Sequence, residues 1–273
     1  MNTGFGISEI LLVATIVVVF FGSKELPKFL REIARLTARI RRYSDRIKRE
    51  LDDVTRSLDP KPESVNRQRD EKKKLRTYYL TARKGLSQQE REQKSMAVCG
   101  HLLKRKEMEN AAMVMLYVNM GAEVITRPLI KKLLEEKKRV VVPYCITTGG
   151  HELRGAEIHH WEDDLIIGKH NVPEPREELR KHFFKSDLEV IICPGVAFDP
   201  QGGRLGRGKG YYDTFLRELR GTIPMIGLAY DCQLMKESLP FEYHDVPMDV
   251  VITETGVAVG ETAEESSSSS LAG

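Results

Sequence analysis

Five short apolar runs, each five to eight residues long, are the feature that most restricts how this chain of 273 residues can fold. They alternate with segments of helical periodicity and lie at Ala111–Val118, Arg139–Cys145, Glu189–Gly195, Met225–Tyr230 and Asp249–Thr253. Apolar strands that alternate with helices are typical of a mostly parallel sheet with helices on both faces. The sequence therefore predicts an α/β fold whose ligands bind beyond the carboxyl ends of the strands.

Two helices are predicted before the first of these strands, on either side of a turn at Gly85. Ser87 is a favourable N-cap residue, and Glu90 follows it at the spacing of a capping box. A further helix is predicted over "ITRPLIKKLLEEKK", between the first two strands, and another over "YYDTFLRELR", which begins at Tyr211.

The N-terminus has a different composition. The run Ile10–Phe21 is uncharged and is apolar except for Thr15, and Glu9 directly precedes it. It is shorter than the ~20 residues that usually span a bilayer. No cation precedes the run and no small-residue cleavage site follows it, which argues against a signal peptide. A buried core helix is the alternative, but the residues that follow offer no globular partner, so the sequence predicts a short transmembrane helix.

A basic amphipathic helix is predicted after this span. Its apolar residues recur at spacings of three and four, at Ile33, Leu36, Ile40, Tyr43, Ile47, Leu51, Val54 and Leu58. Between Lys28 and Arg49 the other faces carry nine cations and two acids. Such a helix lies on an anionic membrane surface, and its cations predict that it lies on the cytoplasmic side. A coiled coil or a solvated helix is the alternative. Nucleic-acid binding is not expected, because the apolar stripe is better explained by lipid.

Residues 1–58 resemble the A-type and B-type subunits of the twin-arginine translocase. The resemblance rests on Glu9 early in the span, on "FFGSKELP" at Phe20–Pro27 and on the basic helix that follows. It implies contact with membrane lipid and with other translocase subunits, in a single-pass protein of the inner membrane whose larger part is cytoplasmic. The motif does not separate the A-type from the B-type.

Two polar segments delimit the larger part of the chain. Residues 59–69 contain Pro60 and Pro62 in a dense polar run, and they are predicted to be a linker. Residues 261–273 are rich in serine and are predicted to be a disordered tail. A domain over residues 70–260 lies between them.

A glycine-rich stretch, "PGVAFDPQGGRLGRGKGYYDTFL", follows the third apolar run at Pro194–Leu216. Glycines permit positive φ and bring bare amides close to a ligand, as in anion-binding nests. Arg204, Arg207 and Lys209 add cations for a polyphosphate, and the helix that begins next adds its positive end. The sequence therefore predicts a polyphosphate-binding loop, and a plain glycine-rich turn before a helix is the alternative.

The same stretch also offers a metal ligand and excludes one common motif. Asp213, within the first turn of the helix, can hold the Mg²⁺ that accompanies a polyphosphate. The segment is not a Walker A loop, because Gly210 rather than Ser or Thr follows Lys209.

The cysteines do not point to a metal centre. Cys99, Cys145, Cys193 and Cys232 stand apart, with no CxxC pair among them. This arrangement suits a reducing compartment and argues against a zinc site or a disulfide framework.

Residues 70–260 resemble the 5-formyltetrahydrofolate cyclo-ligases, also called methenyltetrahydrofolate synthetases. The resemblance is most specific in "PGVAFDPQGGRLGRGKGYYD". It implies a Rossmann-like core and the use of ATP and Mg²⁺. The implied reaction converts 5-formyltetrahydrofolate into 5,10-methenyltetrahydrofolate and releases ADP and phosphate.

The resemblance also implies which residues bind each ligand. ATP is expected to contact Lys72, Arg76, Arg204, Leu205, Gly206, Arg207, Gly208, Lys209, Gly210, Tyr211 and Tyr212. The folate substrate is expected to contact Val118, Glu123, Arg207, Gly208, Lys209, Gly210 and Tyr211. Mg²⁺ is expected on Asp213 and Asp245, and the catalytic residues are expected to be Arg207, Lys209 and Tyr211.

Several of these residues have a second interpretation. Taken alone, Lys72 and Arg76 fit the solvated face of a basic helix, and Glu123 fits an acid near a helix N-terminus. Asp249 lies close enough to Asp245 in sequence to be a rival metal ligand. His170 belongs to "HNVPEP", a loop that closes over the pterin in the family, where some members have an aromatic residue.

Two other functions are compatible with the sequence. The chain could be a protein-export component of the twin-arginine type with an accessory ATP- and folate-binding domain. It could also be a binding module that keeps both sites without turnover.

Overall fold

The computed structural model describes residues 62–146, 152–168, 172–181, 185–240, 242 and 244–260, apart from the side chains of 62–66 and 181. The predicted membrane segment, residues 1–58, lies outside these ranges, as do His170 and residues 261–273. Within the described ranges, each helix is too short or too polar to cross a lipid bilayer.

The described part of the chain contains eleven strands. They are β1 (Met113–Leu116), β2 (Arg139–Ile146), β3 (Glu152–Ile158), β4 (Leu165–Ile167), β5 (Pro173–Pro175), β6 (Val190–Pro194), β7 (Ala197–Phe198), β8 (Arg204–Leu205), β9 (Met225–Leu228), β10 (Val250–Thr253) and β11 (Gly256–Val259). The five predicted strands correspond to β1, β2, β6, β9 and β10.

Seven strands form one sheet, in the order β11–β10–β9–β6–β1–β2–β3. The five inner strands run parallel to one another, whereas β3 pairs antiparallel with β2 and β11 pairs antiparallel with β10. The prediction of a mostly parallel sheet is therefore confirmed. The remaining strands form two small ribbons, β4–β5 and β7–β8.

The edge strand β3 has no counterpart in the sequence analysis. Its residues, ELRGAEI, alternate between exposed and buried positions at the start of the strand. An edge strand with one solvated face does not need the continuous apolar run that marks a buried parallel strand. The charged positions therefore hid it.

Six α-helices accompany the sheet in the described ranges. They are α1 (Pro62–Lys84), α2 (Gln88–Leu103), α3 (Lys106–Asn110), α4 (Arg127–Glu135), α5 (Trp161–Asp164) and α6 (Tyr211–Arg217). The capping box predicted for α2 is present: Ser87 Oγ accepts the amide of Glu90 at 3.2 Å, and Glu90 Oε2 accepts the amide of Ser87 at 2.7 Å.

The predicted linker needs a correction, because α1 begins at Pro62 and residues 62–69 are helical. A proline is tolerated in the first turn of a helix, since the N–H that it lacks would have no partner there. The polar composition of this segment reflects a solvated helix rather than an irregular connection.

Both faces of the sheet are buried, as the sequence predicts. Val114 and Leu116 of β1 pack into one apolar cluster, and the alternate residues Met113 and Met115 pack into another. Residues of α2 and α4 belong to the first cluster, and residues of α6 belong to the second. Helices therefore cover both faces and leave the carboxyl ends of the strands open to a ligand.

Candidate active site

A cavity of about 890 Å³ opens beyond the carboxyl ends of β1, β2 and β6. The strands contribute residues at or just after their ends, namely Tyr117, Val118, Tyr144, Cys145, Pro194 and Gly195. One face of α1 contributes Arg69, Lys72 and Arg76, because residues three and four apart lie on the same side of a helix. The cavity is at the edge of the sheet where an α/β fold binds its ligands.

All the residues that the sequence assigns to a ligand line this cavity. They are Lys72, Arg76, Val118, Glu123, the whole of Arg204–Asp213, and Asp245. These segments are far apart along the chain, so it is the fold that brings them together.

A buried carboxylate shapes the turn that leads into the glycine-rich loop. Asp199 Oδ1 accepts the amide of Gly203 at 2.7 Å, and Asp199 Oδ2 accepts the amide of Leu239 at 2.8 Å. Gly202 has a φ of +81°, and a Cβ at this position would overlap the carbonyl oxygen of Met248. Both conformation and space therefore require glycine at position 202.

The loop between this turn and α6 presents its backbone and two exposed cations, Arg207 and Lys209. Gly208 and Gly210 have left-handed φ values of 92° and 69°. Arg76 Nε donates to the carbonyl of Gly206 at 2.9 Å, which ties the loop to α1. Lys209 is exposed and forms no ion pair with any residue that the structure describes.

The helix after the loop is shorter than predicted. α6 ends at Arg217, three residues before the end of the predicted helix, and its N-cap is Gly210. A helix of two turns adds little dipole, so the positive charge of the loop comes from its side chains and amides.

Two of the predicted phosphate-binding cations are paired with carboxylates of the cavity. Lys72 Nζ lies 2.6 Å from Asp245 Oδ2 and 2.7 Å from Glu242 Oε2. Arg204 Nη2 lies 2.7 Å from Asp213 Oδ1. Both predicted metal ligands are therefore held by predicted phosphate ligands.

A third ion pair joins Arg207 and Glu123, two of the residues predicted to contact the folate. Glu123 is buried, and its Oε1 accepts Nε and Nη2 of Arg207 at 3.2 and 2.8 Å. Its Oε2 accepts the amide of Met120 at 2.9 Å. Glu123 is thus a buried carboxylate at the cavity wall rather than a solvated acid near a helix N-terminus.

Arg83, which the sequence did not indicate, is a buried cation on the protein side of Glu123. Its Nη2 lies 4.0 Å from Glu123 Oε1, and its Nη1 donates to the carbonyl of Gly195 at 3.0 Å. Burial lowers the pKa of Arg83, and the attraction of Glu123 opposes that shift. Its position in the basic last turn of α1 gave the sequence no reason to distinguish it from the exposed Lys84.

The two carboxylates beside Lys72, together with a histidine, form a donor set that fits a divalent cation. Glu242, His244 and Asp245 place one ligand atom each within 4.8 Å of one another. Asp213 Oδ1 lies 3.4 Å from the amide of Val246, so Asp213 adjoins the same segment. Carboxylate oxygens are the donors that Mg²⁺ prefers.

Glu242 is the member of this donor set whose pKa is shifted by its neighbours. Burial by itself raises the pKa of Glu242, but the hydrogen bond and charge of Lys72, together with His244 and Arg76, lower it overall. The sequence analysis missed Glu242 and His244, although "FEYHDVPMD" places them beside Asp245 and could have drawn attention to them.

Asp249, the rival metal ligand, lies elsewhere. Its Oδ2 accepts the amide of Met225 at 2.9 Å, and Met225 is the first residue of β9. Since the amino ends of parallel strands lie opposite their carboxyl ends, Asp249 is at the far edge of the sheet from the cavity. It does not compete with Asp245.

The apolar residues that line the cavity differ in how deeply they are buried. Tyr212 lies 5.5 Å from the guanidinium carbon of Arg204, and burial raises its pKa well above the usual value, so the phenol stays neutral. Val118 is half-buried at the end of β1, whereas Leu205 packs its side chain into a core cluster and offers its backbone to the cavity. Tyr144, which the sequence did not indicate, is buried beneath the guanidinium of Arg180.

Comparisons with known proteins identify two families that the chain resembles. Residues 68–254 match the model of the 5-formyltetrahydrofolate cyclo-ligase family, and residues 3–50 match that of the mttA/Hcf106 family. The probable 5-formyltetrahydrofolate cyclo-ligase of Schizosaccharomyces pombe is 33% identical over 171 residues, covering 58% of this chain and 83% of that protein. The 5-formyltetrahydrofolate cyclo-ligase of Escherichia coli is 31% identical over 177 residues, covering 64% and 96%.

A solved structure gives the same result. The 5,10-methenyltetrahydrofolate synthetase of Aquifex aeolicus superposes with a TM-score of 0.61 at 34% identity, covering 70% of this chain and 93% of that one. Both resemblances seen in the sequence are therefore confirmed. The match over residues 68–254 spans more than half of the chain, and the chain accordingly belongs to the 5-formyltetrahydrofolate cyclo-ligase family of enzymes.

Proposed function

We propose that residues 70–260 of this chain catalyse the ATP- and Mg²⁺-dependent cyclisation of 5-formyltetrahydrofolate to 5,10-methenyltetrahydrofolate, with release of ADP and phosphate. One observation carries the proposal: a single cavity gathers the glycine-rich loop, two cations of α1, Glu123 and the carboxylates at 242 and 245. The triphosphate, its metal ion and the pterin must bind next to one another for this reaction. The cavity offers cations for the triphosphate, carboxylates for the metal ion and Glu123 for the pterin.

The residue roles follow from the charge and place of each group. The triphosphate contacts Lys72, Arg76 and the loop from Arg204 to Tyr212. The pterin contacts Glu123 and Val118, with the loop from Arg207 to Tyr211 between the two ligands. Asp213 and Asp245 would hold the metal ion, which would neutralise part of the phosphate charge.

The reaction needs positioning more than a nucleophilic side chain. The formyl oxygen attacks the γ-phosphorus, so an O–P bond forms and the bond to ADP breaks. N10 then adds to the activated carbon, its proton passes to solvent, and the C–O bond breaks as phosphate leaves. Arg207, Lys209 and Tyr211 all line the cavity, and we assign the two cations to the charge that is transferred. Phosphoryl transfer is catalysed chiefly by alignment and by charge stabilisation.

A direct assay tests this function. The purified full-length chain is mixed with 5-formyltetrahydrofolate, ATP and Mg²⁺, and the absorbance of the methenyl product is followed. Formation of product that depends on ATP supports the proposal. If both ligands bind without turnover, the chain is a binding module and the proposed activity is wrong.

We further infer that residues 1–58 tether the enzyme to the inner membrane as a single-pass segment, with residues 70–260 in the cytoplasm. The match of residues 3–50 to the mttA/Hcf106 family supports this placement. ATP and reduced folates are available on the cytoplasmic side, which is compatible with the orientation that the basic helix favours. Membrane fractionation of the full chain and of a chain lacking residues 1–58 tests the tether, which would be refuted by equal distribution of the two.

The same match favours a second candidate function, a protein-export component with the enzyme as an accessory domain. Complementation of folded-protein export by residues 1–58 alone distinguishes the two. Restored export would make the segment, with its lipid and translocase-subunit contacts, an active export component of A or B type.

A further inference from the structure

Several charged groups of the cavity are paired with one another, and this pairing conflicts with the contacts that the same groups must make in catalysis. The side chain of Lys72 is 8% exposed and is shared between Asp245 at 2.6 Å and Glu242 at 2.7 Å. The ammonium group occupies one oxygen of each carboxylate, Asp245 Oδ2 and Glu242 Oε2, and its charge is matched by theirs. The proposed function gives the ammonium to a phosphate and the carboxylates to a metal ion, so these ion pairs must weaken or open when the ligands bind.

Opening these ion pairs is unfavourable when only the ammonium or only the carboxylates gain a new partner. A buried charge that loses its partner keeps the full cost of its desolvation. A divalent cation arriving alone displaces the ammonium of Lys72 to a place without a counter-ion. A triphosphate arriving alone draws the ammonium away and leaves Glu242 and Asp245 close to each other and to the phosphates.

We propose that Lys72 is the internal counter-ion of the Glu242–Asp245 carboxylates, and that metal and triphosphate bind by exchanging partners with it. The divalent cation takes the carboxylates, including Glu242, while the phosphates take the ammonium. The charges stay matched only when both ligands arrive, so each promotes the binding of the other. This inference rests on the proposed function for the identity of the ligands.

Arg69 provides a matched control. It lines the same cavity from the preceding turn of α1 and carries the same charge. It is exposed and forms no ion pair with any residue in the described ranges. Removing the charge of Arg69 changes the electrostatic potential in the cavity. Removing Lys72 does the same and also leaves Glu242 and Asp245 without their counter-ion.

The experiment measures binding of Mn²⁺ alone to the full-length chain, from the electron paramagnetic resonance signal of the unbound ion. No nucleotide or folate is present, so the result does not depend on turnover. Lys72→Met is expected to bind Mn²⁺ at least about tenfold more tightly than the unchanged chain, and Arg69→Met to differ from it by less than about threefold. An unchanged or weaker affinity in Lys72→Met, or an equal gain in both variants, would overturn the proposal.

A second set of variants locates the ion and guards against misfolding. Adding Glu242→Gln and Asp245→Asn to Lys72→Met should abolish the gain, and a gain that persists would place the ion elsewhere. Independently, Glu242→Gln should bind ATP in the presence of a chelator several-fold more tightly, because Lys72 is released towards the phosphates. Glu174→Gln removes the same charge from the lining without touching Lys72, and an equal effect there would contradict the exchange.

Discussion

Lys209 differs from the other cations of the loop, because Arg204 and Arg207 are paired with carboxylates and Lys209 has no such partner among the described residues. It is therefore ready to meet a phosphate without breaking a contact. Lys209→Ala should lower kcat by about 10²–10³, the usual loss for one charged transition-state contact. The unfolding free energy should change by less than about 0.5 kcal/mol, since the side chain is exposed. Product absorbance and urea unfolding measure the two quantities, and near-normal turnover would remove Lys209 from the mechanism.

The cysteines differ in reactivity according to burial. Cys145 is exposed at the cavity, whereas Cys193 is fully buried in the sheet and burial raises its pKa to about 12. Burial also raises the pKa of Cys145, so at pH 8 its thiolate fraction is lower than that of a free cysteine and increases with pH. Iodoacetamide should label Cys145 first and faster at higher pH, and bound ligands should slow it.

Peptide mapping by mass spectrometry follows this labelling, and Cys145→Ser provides the control. Loss of the fastest-labelled peptide in that variant is the expected result. Labelling of Cys193 in the folded protein before Cys145 would show that the sheet opens more readily than its packing indicates.

At the scale of elements, the turn between β7 and β8 has the strictest backbone requirement near the site. Gly202→Ala combines a positive φ with overlap on the Met248 carbonyl, and it should destabilise the fold by at least about 1–3 kcal/mol. Gly100→Ala is the matched control, because a Cβ at this position, in the last turn of α2, has no neighbour within 4 Å. That change should stabilise the fold by about 0.5–1 kcal/mol.

Urea unfolding of both variants tests the requirement. Equal stability of the two alanine variants would mean that the turn relaxes around the new side chain and that its shape is not fixed by Gly202.

The elements that the sequence predicted share one property: local residues determine them. The capping box at Ser87 and Glu90 and the apolar runs of the five parallel strands are of this kind. The edge strand β3 contains exposed charged positions, β11 is only partly buried, and β7 and β8 have two residues each, so their own residues carry little signal. Pro62 shows the converse error, since a residue typical of linkers also begins helices.

At the scale of the whole molecule, the partner exchange predicts how ligands stabilise the fold. Mg²⁺ and ATP together, at about 100 times their joint dissociation constant, should add about 2.7 kcal/mol to the stability of the enzyme. The corresponding rise in Tm is about 5–11 °C, and each ligand alone should give much less. Calorimetric scans with each ligand, with both and with neither measure the effect, and shifts that simply add would contradict the coupling.

The sequence predicted part of the cavity lining but not how the lining residues contact one another. Lys72, Glu123, Arg207 and Asp245, which the family motifs indicated, all line one cavity. They did not reveal that these cations and acids hold one another, because such pairs join residues 84 to 173 positions apart. Arg83 was invisible for the same reason, since only the fold brings it behind Glu123.

The mutual pairing of charges in the cavity has a consequence for inhibitor chemistry. A purely anionic mimic of the triphosphate would have to separate Lys72 from Glu242 and Asp245 without offering these carboxylates another cation. A compound that carries its own cationic centre beside its acidic groups, or that arrives as a metal chelate, would satisfy both halves at once. Screening libraries for this enzyme should therefore favour zwitterions and chelates over simple polyanions.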